Sequence, residues 1–248
     1  MMAVARLLAA VLLLLANAVS IGAAETAPSS CTLPSDALPP AVALPAAKAA
    51  VAARHRLVVL TMGGAPMAGG PVADPSLTYP ARLQAHLERL LPNVEVTIAN
   101  RAVPDRSARS MARRLAEEAA TMRPDLVIWA SGGREAVRNA DVAAYAGVLE
   151  TGIAAIRAAG ADVILVDTQF APGWAAIPNI DAYRTVIRTV GELQSVPVFP
   201  RFDLMQAWHE AGVLNLDAAD RHAQVAVART LFDCLGDALA RMVLEGIR

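Results

Sequence analysis

Chemically useful side chains and backbone groups concentrate at a few short stretches. The first is glycine-rich: Met62-Gly63-Gly64-Ala65-Pro66-Met67-Ala68-Gly69 follows a β-branched run. A turn of this kind aims backbone N–H groups into a crevice, which suits an oxyanion or a phosphate. No Gly-Lys-Ser/Thr follows, and the glycine spacing departs from the dinucleotide fingerprint, so the turn offers little for a nucleotide. Near the other end, Asp220-Arg221-His222 places an acid and an imidazole two positions apart. That pair fits either a helix start with Asp220 as its N-cap, or an acid–imidazole couple facing a pocket. Arg134 beside Glu135 is either a solvated cation or a fixed charge for a carboxylate or phosphate. Ser131 is a spare hydroxyl with no base evidently beside it. His55, His86 and His209 lack metal-ligand spacing to Cys, Asp or Glu, so no metal site and no cofactor is expected.

Positioning such groups requires a scaffold. Short apolar runs at 56–62, 94–99, 125–130, 162–167 and 196–199 have the β-branched composition of strands buried on both faces. Helical spacing occupies 79–91, 107–122, 141–159, 180–194 and about 224–247. The alternation predicts an α/β fold, a three-layer α/β/α sandwich around a five-stranded, mostly parallel sheet with right-handed crossovers. Ligands of such sheets sit where loops leave the carboxyl ends of the strands. The places to look are therefore 63–70, 100–106, 131–138, 168–174 and the segment before the last helix.

The chain has 248 residues, a formal net charge of −1 and 55% apolar residues with only 4% aromatics. That length supports one full core, and the composition favours helices on a sheet over an all-β sandwich. Near-zero charge with arginines interspersed among acids argues against nucleic acid as a partner. Arg6 precedes an apolar run at 7–18 that is short for a bilayer, and Gly22, Ala23 and Ala24 follow it. We read 1–24 as a signal peptide, with an uncleaved anchor as the alternative. No membrane span is expected after its removal, and the protein is expected in the periplasm or secreted. Residues 25–53, with Pro39, Pro40 and Pro45, read as an extended Ala/Pro-rich leader lying over a domain that spans 54–248. Cys31 and Cys234 are the only cysteines. In an oxidising compartment they form either a bridge, contributing about 4 kcal/mol through the unfolded state, or two separate thiols.

The order of features resembles the SGNH/GDSL hydrolase (lipase/esterase) family from about Cys31 to the C-terminus. Gly63-Gly64-Ala65 stands where that family has Gly-Asp-Ser, and Asn100-Arg101-Ala102-Val103 where it has a block with Gly at position 102. Gly132-Gly133-Arg134 stands where Gly-Thr-Asn is usual, and Asp220-Arg221-His222 is one residue shorter than Asp-x-x-His. Tyr79-Pro80-Ala81-Arg82-Leu83 and the stretch 160–167 are also similar to members. The resemblance implies a flavodoxin-like fold, with the oxyanion and substrate groups at Gly63, Gly64, Ala65, Ala102, Gly133 and Arg134. It implies that only His222, with Asp220, remains of the catalytic set, because Ala65 has no hydroxyl. The expected function is thus an esterase-like pocket, catalytically impaired, that binds a small-molecule or glycan-borne ester or an anionic ligand. The alternatives are an ester hydrolase with a rearranged site using His222, and an envelope interaction protein with a vestigial crevice. The oligomeric state is not legible.

Overall fold

A computed structural model describes residues 31–32, 37–173, 177 and 179–248. The stretch read as a signal peptide, 1–24, lies outside the described residues. In chain order the elements are α1 (Pro45–Arg54), β1 (Arg56–Met62), α2 (Tyr79–Leu90), β2 (Glu95–Asn100), α3 (Ala108–Met122), β3 (Leu126–Ala130) and α4 (Gly133–Val137). There follow α5 (Val142–Ala158), β4 (Asp162–Val166), α6 (Ile180–Gln194), β5 (Val198–Phe199), α7 (Arg201–Glu210) and α8 (Arg221–Ile247). The five strands pair in the order β2-β1-β3-β4-β5, all parallel. This is the doubly wound order whose switch point lies between β1 and β3.

Period-two alternation divides the strand residues between two apolar layers. Leu57, Val59, Leu126, Ile128, Ile164 and Phe199 face α1, α2, α7 and α8. Leu60, Met62, Val127, Trp129, Val163 and Leu165 face α3, α5 and α6. The inner strands β1, β3 and β4, covered on both sides, appear as near-continuous apolar runs in the sequence; β2, read as buried on both faces, is instead an edge strand with Glu95 and Thr97 exposed. α8 lies close on α2 because Gly236 has no side chain: a β-carbon there would stand 2.9 Å from the Leu83 nitrogen.

Three boundaries differ from expectation. The leader is not extended throughout, since α1 begins at Pro45. Proline at the first helical position has its fixed φ already suited to the helix and no N–H to lose, so Pro45 starts the helix instead of breaking it. The α1 end is held from outside, by the Asp162 carboxylate accepting from the Ala47 N–H at 2.9 Å. α8 begins at Arg221, three residues earlier than read, and so takes His222 into its first turn. α4, read as loop, is a single short helix. Cys31 and Cys234 form a disulfide, with Cα atoms 5.5 Å apart, that fastens the N-terminal segment to α8. Among the described residues no helix is long and apolar enough to cross a membrane.

Candidate functional site

At the carboxyl end of β1 the chain enters one helical turn, with the N–H groups of Met67 and Ala68 both donating to Gly64 O at 3.1 Å. Gly63 is buried, Gly64 half-buried and Ala65 exposed. A β-carbon at Gly63 would stand 2.6 Å from Met67 Sδ and 3.2 Å from the Ala130 β-carbon, so any larger residue there would displace the Met67 side chain. The Gly70 N–H donates to Ala65 O at 2.8 Å. The methyl of Ala65 is thus held on a rigid turn.

The second loop is tied to this turn by Asn100, a residue of the resembling block to which the sequence assigns no role. Its amide donates to Met67 O at 2.9 Å, and its Oδ1 accepts from Thr61 Oγ1 and from the Ala102 N–H, both at 3.0 Å. The Ala102 N–H expected as an oxyanion donor is therefore occupied. Asparagine does this well because one amide offers two donors and an acceptor with two lone pairs.

In the third loop Ser131 is buried and its hydroxyl lies 2.9 Å from the Tyr145 hydroxyl. Burial pushes the Tyr145 phenol far up, against the smaller opposing effect of the Ser131 hydrogen bond, so it stays protonated and cannot serve Ser131 as a base. Gly132 adopts φ 95°, and a β-carbon there would meet the Tyr145 hydroxyl at 2.9 Å. Gly133 is half-buried at the first position of α4. Glu135, likewise without an assigned role, is buried and its carboxylate accepts from the Ala108 N–H at 2.6 Å and the Gly132 N–H at 3.2 Å. It clamps the starts of α3 and α4 together. Arg134 is no free cation: its Nε donates to Asp105 Oδ1 at 2.9 Å, with Arg138 3.9 Å from the same carboxylate.

At the end of β4, Asp167 is fully buried and accepts from the Thr168 N–H at 2.7 Å and from Arg188 at 2.9 Å. Arg184 and Arg188 also bind Asp203, which fixes the start of α7.

Before α8, Asp220 accepts from the Ala223 N–H at 2.9 Å, which is N-cap geometry. His222 is exposed and hydrogen-bonds to nothing among the described residues. α8 passes the glycine turn near Phe232, whose ring would lie 3.6 Å from a β-carbon at Gly70. His222 is ten residues earlier, about 15 Å along the helix axis. The structure thus brings Gly63, Gly64, Ala65 and Ala102 together through Asn100, and Arg134 to Asp105. Asp220 serves the end of its own helix.

The other histidines lie elsewhere. His86 is buried between α2 and α8, 3.0 Å from Asp233 and 3.4 Å from Asp237. His209 lies 3.6 Å from Asp217. Among the described residues no group of three or more His, Cys, Asp or Glu is placed to hold a metal.

A model of the non-GDSL lipase-like family matches residues 30–248. The chain belongs to that family. Among solved structures, a lipase/acylhydrolase from Enterococcus faecalis is 22% identical at a TM-score of 0.60, covering 77% of this chain and 96% of that one. The acetylxylan esterase Axe2 from Geobacillus stearothermophilus is 18% identical at 0.58, covering 77% and 94%. TesA is 22% identical at 0.56, covering 72% and 97%. No curated protein sequence matches the chain. These likenesses establish the SGNH hydrolase fold, an α/β/α sandwich on a five-stranded parallel sheet. Fold alone does not carry activity, which depends on the groups at the site.

Proposed function

We propose that this family member is exported and non-hydrolytic, acting by binding an acylated or anionic ligand at the carboxyl edge of its sheet. The observation that carries the reading is Ala65. It occupies the rigid turn after β1, where the resemblance calls for the nucleophile, and presents a methyl group to solvent.

The surrounding geometry supports the same reading, because three groups that could compensate are already engaged and His222, which is not, stands about 15 Å along α8 from the part of that helix nearest the turn. Ser131 pairs with Tyr145, the Ala102 N–H with Asn100, and Asp220 with the first turn of α8. Without nucleophile, base and oxyanion donor acting together, what remains of such a site is binding plus a small residual rate. Export is supported by the pattern at 1–24 and by the Cys31–Cys234 disulfide, a bond that persists in oxidising compartments.

A specific observation favours the second reading, an envelope interaction protein. Two grooves, of about 480 Å³ and about 380 Å³, leave Ala65, Arg134 and His222 out of their linings: one runs along α3, the other beside the β1 turn from Ala68 through the start of α2 to Asn100.

The test is hydrolysis of p-nitrophenyl acetate by the purified protein, beside labelling with a fluorophosphonate. Background turnover and no labelling are expected. Rapid turnover that disappears in His222→Ala overturns the proposal.

A further inference from the structure

The outer face of α3 carries an arrangement of charge that helix stability does not explain. Arg106 precedes the N-cap Ser107, and Arg109, Arg113 and Arg114 occupy the N-terminal half, while Glu117 and Glu118 lie beyond them toward the C-terminus. The helix dipole favours the reverse, acids at the start and cations at the end. No acid stands in the first turn and no base in the last.

Their pairing is also uneven. Glu118 takes both Arg101, at 3.1 Å, and Arg114, at 3.2 Å. Arg106, Arg109 and Arg113 pair with no carboxylate among the described residues. The Arg106 Nε is enclosed with no hydrogen-bond partner, and its Nη1 reaches only Ser110 Oγ, at 3.4 Å. Arg106 and Arg113 line a groove of about 480 Å³ together with Ser110, Thr121, Glu117 and the Arg114–Glu118 pair.

We propose that this groove binds a carboxylated polysaccharide. Arg106 precedes the N-cap Ser107 and Arg113 lies six residues beyond that cap, about 9 Å along the axis, so two carboxylates of one extended chain can each meet a guanidinium. Ser110, Thr121 and Glu117 between and beyond them supply the donors and acceptors that sugar hydroxyls need. The lining holds no apolar side chain to enter a lipid surface and no aromatic ring to stack a base, which separates this partner from membranes and single-stranded nucleic acid. The inference goes beyond the reading of the β1 turn and stands whether or not that turn hydrolyses an ester.

The experiment is titration of the purified protein with polygalacturonate, with dextran as the neutral polymer and phosphatidylglycerol vesicles as the lipid surface. Polygalacturonate is expected to bind at low salt, to weaken as salt is raised, and to bind about tenfold more weakly to R106Q/R113Q, the scale of two partly exposed ion pairs. Dextran is expected not to bind. The exposed single variant R113Q keeps the test valid if the double variant folds poorly, and thermal unfolding verifies the fold of each. Absence of polygalacturonate binding at low salt overturns the proposal, as does binding that both variants leave unchanged. Tighter binding to the vesicles, lost in R106Q/R113Q, overturns it in favour of a lipid headgroup surface.

Discussion

Replacing Glu135 tests whether the loops at the carboxyl edge are held as described. Its buried carboxylate accepts from the Ala108 and Gly132 N–H groups, at 2.6 and 3.2 Å. A hydrogen bond to a charged group contributes about 1.5–3 kcal/mol, and deleting the acceptor leaves two enclosed N–H donors without a partner. Glu135→Ala is therefore expected to cost roughly 3–5 kcal/mol, a fall in Tm on the order of 10 °C for a chain of this size. Glu135→Gln keeps the shape and one acceptor oxygen but turns an NH₂ toward the second donor, so it should cost about half as much. Urea unfolding followed by circular dichroism measures both, provided the slope with denaturant stays constant. A loss below about 1 kcal/mol for Glu135→Ala, or equal losses for the two variants, would refute the clamp.

Further consequences concern the rest of the scaffold. The disulfide closes a loop with a sequence separation of 203; C31S/C234S should lose about 5 kcal/mol by the chain-entropy relation, and a reductant should lower the wild-type Tm alike while leaving the variant unmoved. Asp220→Ala should cost about 1 kcal/mol as a lost N-cap, with Asp220→Asn or Asp220→Ser close to wild type in thermal unfolding. Burial works to raise the Asp233 carboxyl, but Arg82 and His86 together outweigh it and hold the group below its ordinary range. A carboxyl lowered on folding stabilises above its unfolded pKa of about 3.9 and loses that contribution as pH falls further through the folded value. The urea midpoint should accordingly drop between pH 6 and pH 3, and drop less in Asp233→Asn; an unchanged slope in the variant would exclude this cause.

The strands were legible because burial on both faces removes polar residues, leaving β-branched runs bounded by turn residues. The order βαβ then restricted the topology, and the resemblance placed the loops that matter. What escaped was of two kinds. One was local and misjudged. Proline breaks a helix interior but starts a helix at its first position, where Pro45 sits, and an Asp ahead of a helical pattern, as Asp220 is, suits a cap as well as a pocket. The other was distant in sequence. Asn100 meets Met67 across 33 positions, Arg134 meets Asp105 across 29, and Glu135 meets Ala108 across 27. No periodicity in a single chain records such pairs. Glu135 alone left a trace, since Gly-x-x-Glu from Gly132 is the spacing of a capping box. The arginines at 106, 109 and 113 likewise show their lack of carboxylate partners among the described residues only once the start of α3 is folded.

The central claim is that the turn after β1 has lost not only a hydroxyl but the groups that would activate one. Installing the hydroxyl tests it most directly: Ala65→Ser, assayed for p-nitrophenyl acetate turnover and fluorophosphonate labelling beside wild type. The account predicts that the variant remains at background in both, because His222 stands on the first turn of α8 with no acid bonded to it among the described residues and the Ala102 N–H is held by Asn100. Turnover and labelling that appear with Ala65→Ser and vanish on adding His222→Ala would contradict it.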